Sequence, residues 1–172
     1  MRPDTREHLV PGIMGNPTYS GTSEHSLDDK GRLILPGRIL DKLPKEEWKF
    51  HLSAGLDRCL LVHDLAGWQV LAQRLGGGVP GSRAHRALCR RFLGHSEEVV
   101  PDNSRRIRIP DPLMKYAGLA PSGQAVLIGS GRVLEIWAPS VLDSTLAEAT
   151  PEEEELFANL VGPSTAPASQ GT

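Results

Sequence analysis

The chain matches itself at one offset, and this internal repeat constrains the fold more than any other feature of the sequence. Adding 74 to the residue number aligns residues 28–62 with residues 102–136 without a gap. Six positions are identical, against about two expected from average residue usage. The identical pairs are Asp28 and Asp102, Arg32 and Arg106, Pro36 and Pro110, Gly55 and Gly129, Arg58 and Arg132, and Leu60 and Leu134. Apolar matches such as Leu52 with Val126 fill the intervals, so we predict a duplicated unit; two unrelated segments with similar turn chemistry are the alternative.

Each copy predicts the same order of elements. A polar extended stretch leads into a turn, which opens into a short strand that ends at a proline. In "RRIRIP", Ile107 and Ile109 alternate with Arg106 and Arg108, the period of two that a half-buried strand requires. The proline donates no backbone hydrogen bond, so it ends the strand and is suited to the start of a short helix. Two further strands follow, so the fold class is α+β with a mainly β core.

Polar residues at suitable positions predict four further helices. Asp64 and Ser82 are possible N-caps for amphipathic helices that begin at residues 65 and 83. Ser140, with Asp143 three residues on, predicts a capping box. Thr150 precedes a helix with glutamates in its first turn, where the helix dipole favours them.

These elements divide the chain into six predicted regions, and small-residue or polar composition marks both ends as disordered. The regions are a disordered arm (1–18), the first repeat (19–64), a helical connection (65–94), the second repeat (95–138), C-terminal helices (139–161) and a disordered tail (162–172).

Charge is unevenly distributed along the chain. The net charge is −2, but all 19 Lys and Arg precede Thr150, whereas four of the 21 acidic residues form the run 152–155. Residues 1–150 therefore carry 19 − 17 = +2, so an anion site would depend on local clusters of arginine. No apolar run is long enough to cross a membrane or to form a secretory signal, which predicts a cytoplasmic protein without a membrane partner.

Residues typical of catalytic or metal sites do not form a recognisable pattern. The six histidines are scattered, and no nucleophile elbow, zinc-protease, P-loop or dinucleotide-binding motif is present. Cys89 and His95 would need two more ligands to hold a metal, and Cys59 and Cys89 are best interpreted as small apolar residues. We therefore predict that the protein is not an enzyme and has no metal or cofactor.

The two turns are the strongest candidates for a binding site. "DDKGR" carries Lys30 and Arg32, and "DNSRR" carries Arg105 and Arg106 at the corresponding end of the second copy. Cations on a short, stiff turn suit phosphate, and arginine can also bridge a guanine edge with paired hydrogen bonds. The alternative is an ordinary solvated hairpin with charged side chains.

Three stretches resemble the MraZ family of bacterial transcriptional regulators: "YSGTSEHSLDDKGRLILP", "RRFLGHSEEVVPDNSRRIRIP" and "LIGSGRVLEIW". The resemblance implies two tandem SpoVT/AbrB-like units that form a pseudo-symmetric swapped-hairpin barrel with added helices. It also implies a ring-shaped homo-oligomer that binds double-stranded DNA, at direct repeats in the promoter of its own division and cell-wall operon. The protein would then be cytoplasmic and associated with the nucleoid.

The family motif D-x-x-x-R assigns roles to individual residues. It matches Asp28 with Arg32 and Asp102 with Arg106, which implies that both arginines, together with Lys30, face DNA while the aspartates shape the turns. Gly31 would help to shape the first turn. The second motif usually has a glycine where this chain has Arg105. We expect an altered turn geometry with added charge, and a gained phosphate contact is the alternative.

Two questions stay open at this level. The family usually begins near Tyr19, so residues 1–18 are either an extra arm or a mis-set start. The alternative function is a ring-forming interaction module that binds a protein or another polyanion through its basic hairpin tips.

Overall fold

A computed structural model of the chain describes residues 19–76, 81–147 and 150–161. The strands are β1 (Tyr19–Ser26), β2 (Arg32–Ile34), β3 (Phe50–Ala54), β4 (Leu60–Asp64), β5 (Ser96–Val99), β6 (Arg106–Arg108), β7 (Gln124–Gly131) and β8 (Val133–Trp137). The helices are α1 (Gly37–Leu40), α2 (Leu65–Gly76), α3 (Arg83–Phe92), α4 (Asp111–Tyr116), α5 (Pro139–Thr145) and α6 (Pro151–Val161), with a 3₁₀ turn at Lys45–Glu47. The predicted α+β class with a mainly β core is confirmed.

The two halves of the chain exchange strands. A six-stranded sheet has the order β1-β7-β8-β4-β3-β5, in which every neighbouring pair is antiparallel. The first strand of each half therefore pairs with the third strand of the other half. If each strand is replaced by its equivalent in the other half, the same strand order is obtained, read from the opposite edge. The sheet therefore has pseudo-two-fold symmetry. Strands β2 and β6 form a separate two-stranded ribbon across the same axis.

The constant offset of 74 is wrong for one strand. Leu52 of β3 pairs with Val62 of β4. Ile136 of β8 is equivalent to Val62, but its partner in β7 is Leu127 rather than Val126. Pairing with the outer strands gives the same shift. Phe50 lies opposite Val99, and Ala125 lies opposite His25, which is equivalent to Val99. Ala125 is therefore the equivalent of Phe50. Strand β7 is thus equivalent to β3 at an offset of 75. The second half has one additional residue before β7 and one fewer in the hairpin that follows.

The inner face of the ribbon packs into the core. Leu33, Leu35, Ile107 and Ile109 are fully buried and belong to the same apolar cluster as the inward side chains of β3, β4, β7 and β8. Burying a side chain of this size stabilises the fold by roughly 1.5–3 kcal/mol. This anchoring fixes the position of the turns at both ends of the ribbon.

The predicted helix starts agree with the structure in three of four places. Asp64 accepts a hydrogen bond from Gly67 N at 2.7 Å, and Ser82 accepts one from His85 N at 3.2 Å. At the start of α6, Thr150 and Glu153 form a reciprocal capping box. The capping box at Ser140 is wrong, because α5 already begins at Pro139, which is suited to the first helical turn, and its N-cap is Ala138.

The barrel in our fold prediction is not confirmed. Strands β1 and β5 are the edges of the six-stranded sheet, which is open over the described residues. In the same part of the chain, no helix is long and apolar enough to span a membrane. The two ends that we predicted to be disordered, 1–18 and 162–172, lie outside the described residues.

Candidate nucleic-acid interface

The first candidate turn is held together by one carboxylate. Asp28 Oδ1 accepts hydrogen bonds from the backbone N–H groups of Lys30 and Arg32, both at 2.9 Å. Asp28 Oδ2 accepts one from Arg32 Nε at 2.6 Å. The backbone N–H of Asp28 donates to the Arg32 carbonyl at 3.0 Å, which begins the strand ladder. Asp28 thus accepts three hydrogen bonds within the turn, and Arg32 donates two of them.

The second turn repeats this geometry. Asp102 Oδ1 accepts from Ser104 N at 2.8 Å and Arg106 N at 2.9 Å, and Asp102 Oδ2 accepts from Arg106 Nε at 2.8 Å. Arg105 has φ +63°, compared with +69° for Gly31 at the equivalent position. Our expectation that Arg105 alters the turn geometry is therefore wrong.

The aspartate bonds explain why arginine adopts this conformation. A left-handed residue with a side chain costs roughly 1–2 kcal/mol, and charge-assisted hydrogen bonds are strong enough to offset a cost of this size. The Arg105 carbonyl is also fixed, because it accepts from Leu35 N at 2.9 Å. Hydrogen bonds to the Asp102 carboxylate and to the neighbouring strand thus accompany the left-handed conformation of this arginine.

Each turn is held by the opposite half of the chain. Leu35 N donates to the Arg105 carbonyl at 2.9 Å, and Ile109 N donates to the Gly31 carbonyl at 3.0 Å. In addition, Arg106 Nη1 lies 4.0 Å from Asp28 Oδ2, which joins the two motifs. Contacts between the two halves therefore connect the ribbon with both turns, although the turns lie 74 residues apart in sequence.

The aspartates are ionised at neutral pH. The backbone N–H of Arg32 is the main cause that lowers the pKa of Asp28, and its guanidinium lowers it further. The backbone N–H and guanidinium of Arg106 lower the pKa of Asp102 in the same way. Hydrogen bonds to the charged form favour that form. Both turns consequently keep their carboxylate–arginine pairs over the physiological pH range.

The outer face of the ribbon is rich in arginine. Arg32 lies opposite Arg108 and Ile34 lies opposite Arg106, while Leu33 and Ile107 point into the core. The side chains of Arg32 and Arg106 are about one-third exposed, at 29% and 32%. Arg108 is exposed but was not among our predicted site residues. The alternation in "RRIRIP" could have identified Arg108 as a site residue, because it places Arg108 on the same face as Arg106.

The other predicted site residues occupy the two ends of the ribbon. Lys30 is exposed at the first turn, where Gly31 is buried. Arg105 is exposed at the second turn, and its Nη1 lies so close to Gly37 that a methyl group on Gly37 would be 2.8 Å away. The structure therefore brings Arg105 of the second half beside α1 of the first half.

Two candidate nucleophiles outside the ribbon, Ser53 and Cys59, are buried. Ser53 Oγ lies 3.2 Å from His63 Nε2, but Ser53 is completely buried, so a substrate has no access to this pair. Burial raises the pKa of the Cys59 thiol to about 12, which removes its nucleophilic character at neutral pH. In the described part of the chain, no three His, Cys, Asp or Glu side chains form a group that could hold a metal ion.

Fold and site together define a class of protein: a tandem of two halves that exchange strands and present a duplicated D-x-x-x-R turn on an arginine-faced ribbon. The family described as "MraZ protein, putative antitoxin-like" matches residues 18–77 and 92–159. This chain belongs to the MraZ family.

Three relatives illustrate the similarity, and each is named transcriptional regulator MraZ. The Dictyoglomus thermophilum protein is 38% identical over 120 residues, which covers 70% of this chain and 79% of the relative. The Moorella thermoacetica protein is 35% identical over 144 residues, or 83% and 96% of the two chains. The Pediococcus pentosaceus protein is 32% identical over 143 residues, again 83% and 96%.

Proposed function

We propose that this protein is a sequence-specific DNA-binding transcriptional regulator that acts on direct repeats in the promoter of its own division and cell-wall operon. The observation that carries the proposal is the β2–β6 ribbon, with arginines on its outer face and a cationic turn at each end. The names of the relatives support the same function.

The dimensions and chemistry of the ribbon suit the major groove of DNA. This groove admits a two-stranded β-ribbon, and arginine recognises guanine O6 and N7 through paired hydrogen bonds. Arg32 and Arg106 each use Nε for the intramolecular carboxylate, and the terminal nitrogens carry the remaining four of the five N–H donors. A guanidinium oriented in this way loses little side-chain entropy when it binds.

A ring-shaped homo-oligomer would multiply such contacts. Support comes from α2 and α3, neither of which has a buried residue, although both carry apolar side chains that are only half-buried. These side chains are Trp68, Leu71, Leu75, Leu88 and Phe92. Covering them with a second copy would remove apolar surface from water. Several linked ribbons would then bind successive direct repeats with high avidity.

The first test measures binding of the full-length protein to DNA from upstream of its own gene. We expect Arg32→Ala and Arg108→Ala each to weaken binding by roughly 5- to 150-fold, the range for one arginine–base contact. Arg58→Ala in the hairpin between β3 and β4 is the matched control, since it removes the same charge from an exposed turn outside the ribbon. Mobility shift across a protein titration gives the affinities. Binding that is equally weakened by Arg58→Ala would contradict a role for the ribbon.

The Arg32→Ala result needs a second measurement, because Arg32 also closes the first turn. Lys30→Ala leaves the Asp28 network intact, since only the backbone N–H of Lys30 takes part in it. We expect this variant to bind more weakly to all DNA sequences and with a reduced salt dependence, as a phosphate contact requires. An unchanged salt slope would exclude Lys30 from the interface.

The alternative, a module for another polyanion, predicts a different outcome. Under our proposal, DNA with the upstream direct repeats competes much better than heparin or scrambled DNA at equal charge. Light scattering on the same samples reports whether the mass is a multiple of 18.6 kDa, and nucleoid co-localisation of a fluorescent fusion tests the predicted cytoplasmic, nucleoid-associated location. Equal competition by all polyanions would favour the alternative.

A further inference from the structure

Ile34 is an apolar side chain on the outer, arginine-rich face of the ribbon. It is 51% exposed and lies directly opposite Arg106. A single exposed isoleucine is common on protein surfaces, but the neighbours of this one on the same face are Arg32 and Arg106. The equivalent position in the second half is Arg108, so Ile34 breaks the pseudo-symmetry of the ribbon.

The end of the ribbon near Ile34 is framed by cations. Arg38 lies on α1 and donates from Nη2 to Ser23 Oγ at 3.0 Å. Arg105 Nη1 lies against Gly37 on the same helix. One carboxylate, Asp41, also approaches Gly37, with Oδ2 3.5 Å from the position of an added methyl group. A phosphate backbone beside Ile34 would thus meet arginines from both halves of the chain.

The opposite end also carries cations, Lys30 and Arg108, but more carboxylates lie beside Arg108. Arg108 shares a groove of about 450 Å³ with the carboxylates of Glu97, Glu98 and Asp111. At the equivalent positions the first half has Ser23, Glu24 and Gly37, so two of these three carboxylates are absent there. The groove is therefore less favourable for a DNA phosphate, whereas the end near Ile34 is more favourable.

We propose that the Ile34 end of the ribbon enters the major groove and that Ile34 contacts the 5-methyl group of a thymine. The inference rests on the proposed DNA-binding function and adds a determinant of its specificity. Thymine is the only base with a methyl group in the major groove, and apolar side chains recognise it by contact. Arg106 and Arg38 would flank this contact, toward a neighbouring base or phosphate.

Because the two ends of the ribbon differ, each copy of the chain would bind DNA in one defined orientation. Two identical ends would recognise an inverted repeat, since the pseudo-two-fold axis relates them. With isoleucine at one end and arginine in an acidic groove at the other, the two strands of a site are no longer equivalent. A regulator of this kind binds sites that are arranged as direct repeats.

The test compares DNA with and without thymine methyl groups. The region upstream of the gene is amplified with either dTTP or dUTP, which removes the methyl groups and leaves the phosphate charge unchanged. We expect the wild-type protein to bind the dU probe about fourfold more weakly for each thymine methyl group that Ile34 touches in the dT probe. Ile34→Ala should bind both probes with the same affinity, while Ile34→Val should retain part of the difference.

Arg58→Ala in the hairpin between β3 and β4 is the matched control outside the ribbon. We expect it to keep the full dT-to-dU ratio, because it leaves Ile34 in place. Thermal unfolding of each variant verifies that the fold is retained. A wild-type protein that binds both probes equally, or an Ile34→Ala variant that keeps the wild-type ratio, would overturn the methyl contact while leaving DNA binding intact. A protein that binds neither probe would overturn the proposed function itself.

Discussion

The two halves of the molecule have nearly the same turns but different outer surfaces. Gly31 and Arg105 share a left-handed conformation, and Asp28 and Asp102 accept equivalent hydrogen bonds. The outer face of the six-stranded sheet differs, because α2 covers histidines in one half and α5 covers apolar side chains in the other. The two turns thus have similar backbone geometry, whereas the helices that cover the sheet pack on different side chains in the two halves.

The histidines illustrate this difference. His51 lies opposite His63 across β3 and β4, and Trp68 of α2 stacks on His51 with ring centroids 4.7 Å apart. At the equivalent place in the second half, Val126 and Trp137 belong to an apolar cluster with Leu142 of α5. Among the described residues, a pair of histidines beneath the covering helix is thus a feature of the first half.

The largest expected effect tests the register of the comparison. Leu52→Ala and Leu127→Ala should each lower the free energy of unfolding by roughly 2–5 kcal/mol, because both leave a cavity in the shared core. Val126→Ala should cost less, since Val126 belongs to the smaller cluster on the other face. Denaturant unfolding of the three variants measures these values. A larger loss of unfolding free energy for Val126→Ala than for Leu127→Ala would instead support an offset of 74 for β7.

The second prediction concerns pH and the first half alone. Burial lowers the pKa of His63 from 6.5 to about 4. The folded state therefore keeps His63 neutral while the unfolded state binds a proton, and stability is lost as pH falls from 6.5 toward 4. The loss amounts to about 3 kcal/mol at 1.36 kcal/mol for each pKa unit.

The matched variant is His63→Leu, which removes the titrating group. It should be less sensitive to pH than the wild type over this interval, measured by denaturant unfolding at each pH. Trp137→Leu at the equivalent position of the second half should leave the pH dependence unchanged. Identical pH profiles for the wild type and His63→Leu would contradict the assignment.

The third prediction tests whether the carboxylates determine the turns. Asp28→Asn and Asp102→Asn should each destabilise the protein at neutral pH, by less than the core variants and by similar amounts. Because both pKa values are lowered, this stabilisation is present above the ordinary value of 3.8 and is lost as pH falls below it. Thermal unfolding at pH 7 and at low pH should therefore show a difference from wild type that shrinks with acid. An effect at only one site would mean that the turns are not equivalent.

The smallest effect concerns the left-handed position. Gly31→Ala should cost about 1 kcal/mol from backbone strain, and Met114 would also have to move, since its Cε lies 2.7 Å from the added methyl group. Arg105→Gly should leave stability within about 1 kcal/mol of wild type while it weakens DNA binding. Unfolding and mobility shift on the same samples separate the two effects. A large loss of stability in Arg105→Gly would show that the side chain supports the fold.

The sequence by itself determined the local features of this protein. The hydrogen bonds of Asp28 and Asp102 within their turns and the caps at Asp64, Ser82 and Thr150 all depend on interactions between residues a few positions apart. The alternation in "RRIRIP" also indicated which arginines share a face. Because such interactions are short-range, they leave a readable pattern.

The tertiary structure alone decided how the halves combine. Strand exchange, the one-residue shift of β7, the conformation of Arg105 and the position of its guanidinium beside Gly37 all depend on pairing between distant residues. Leu35 N holds the Arg105 carbonyl from a strand about 70 positions earlier in the chain. A hydrogen bond between strands leaves no pattern within either segment, which is why our prediction for the turn with arginine in place of glycine was wrong.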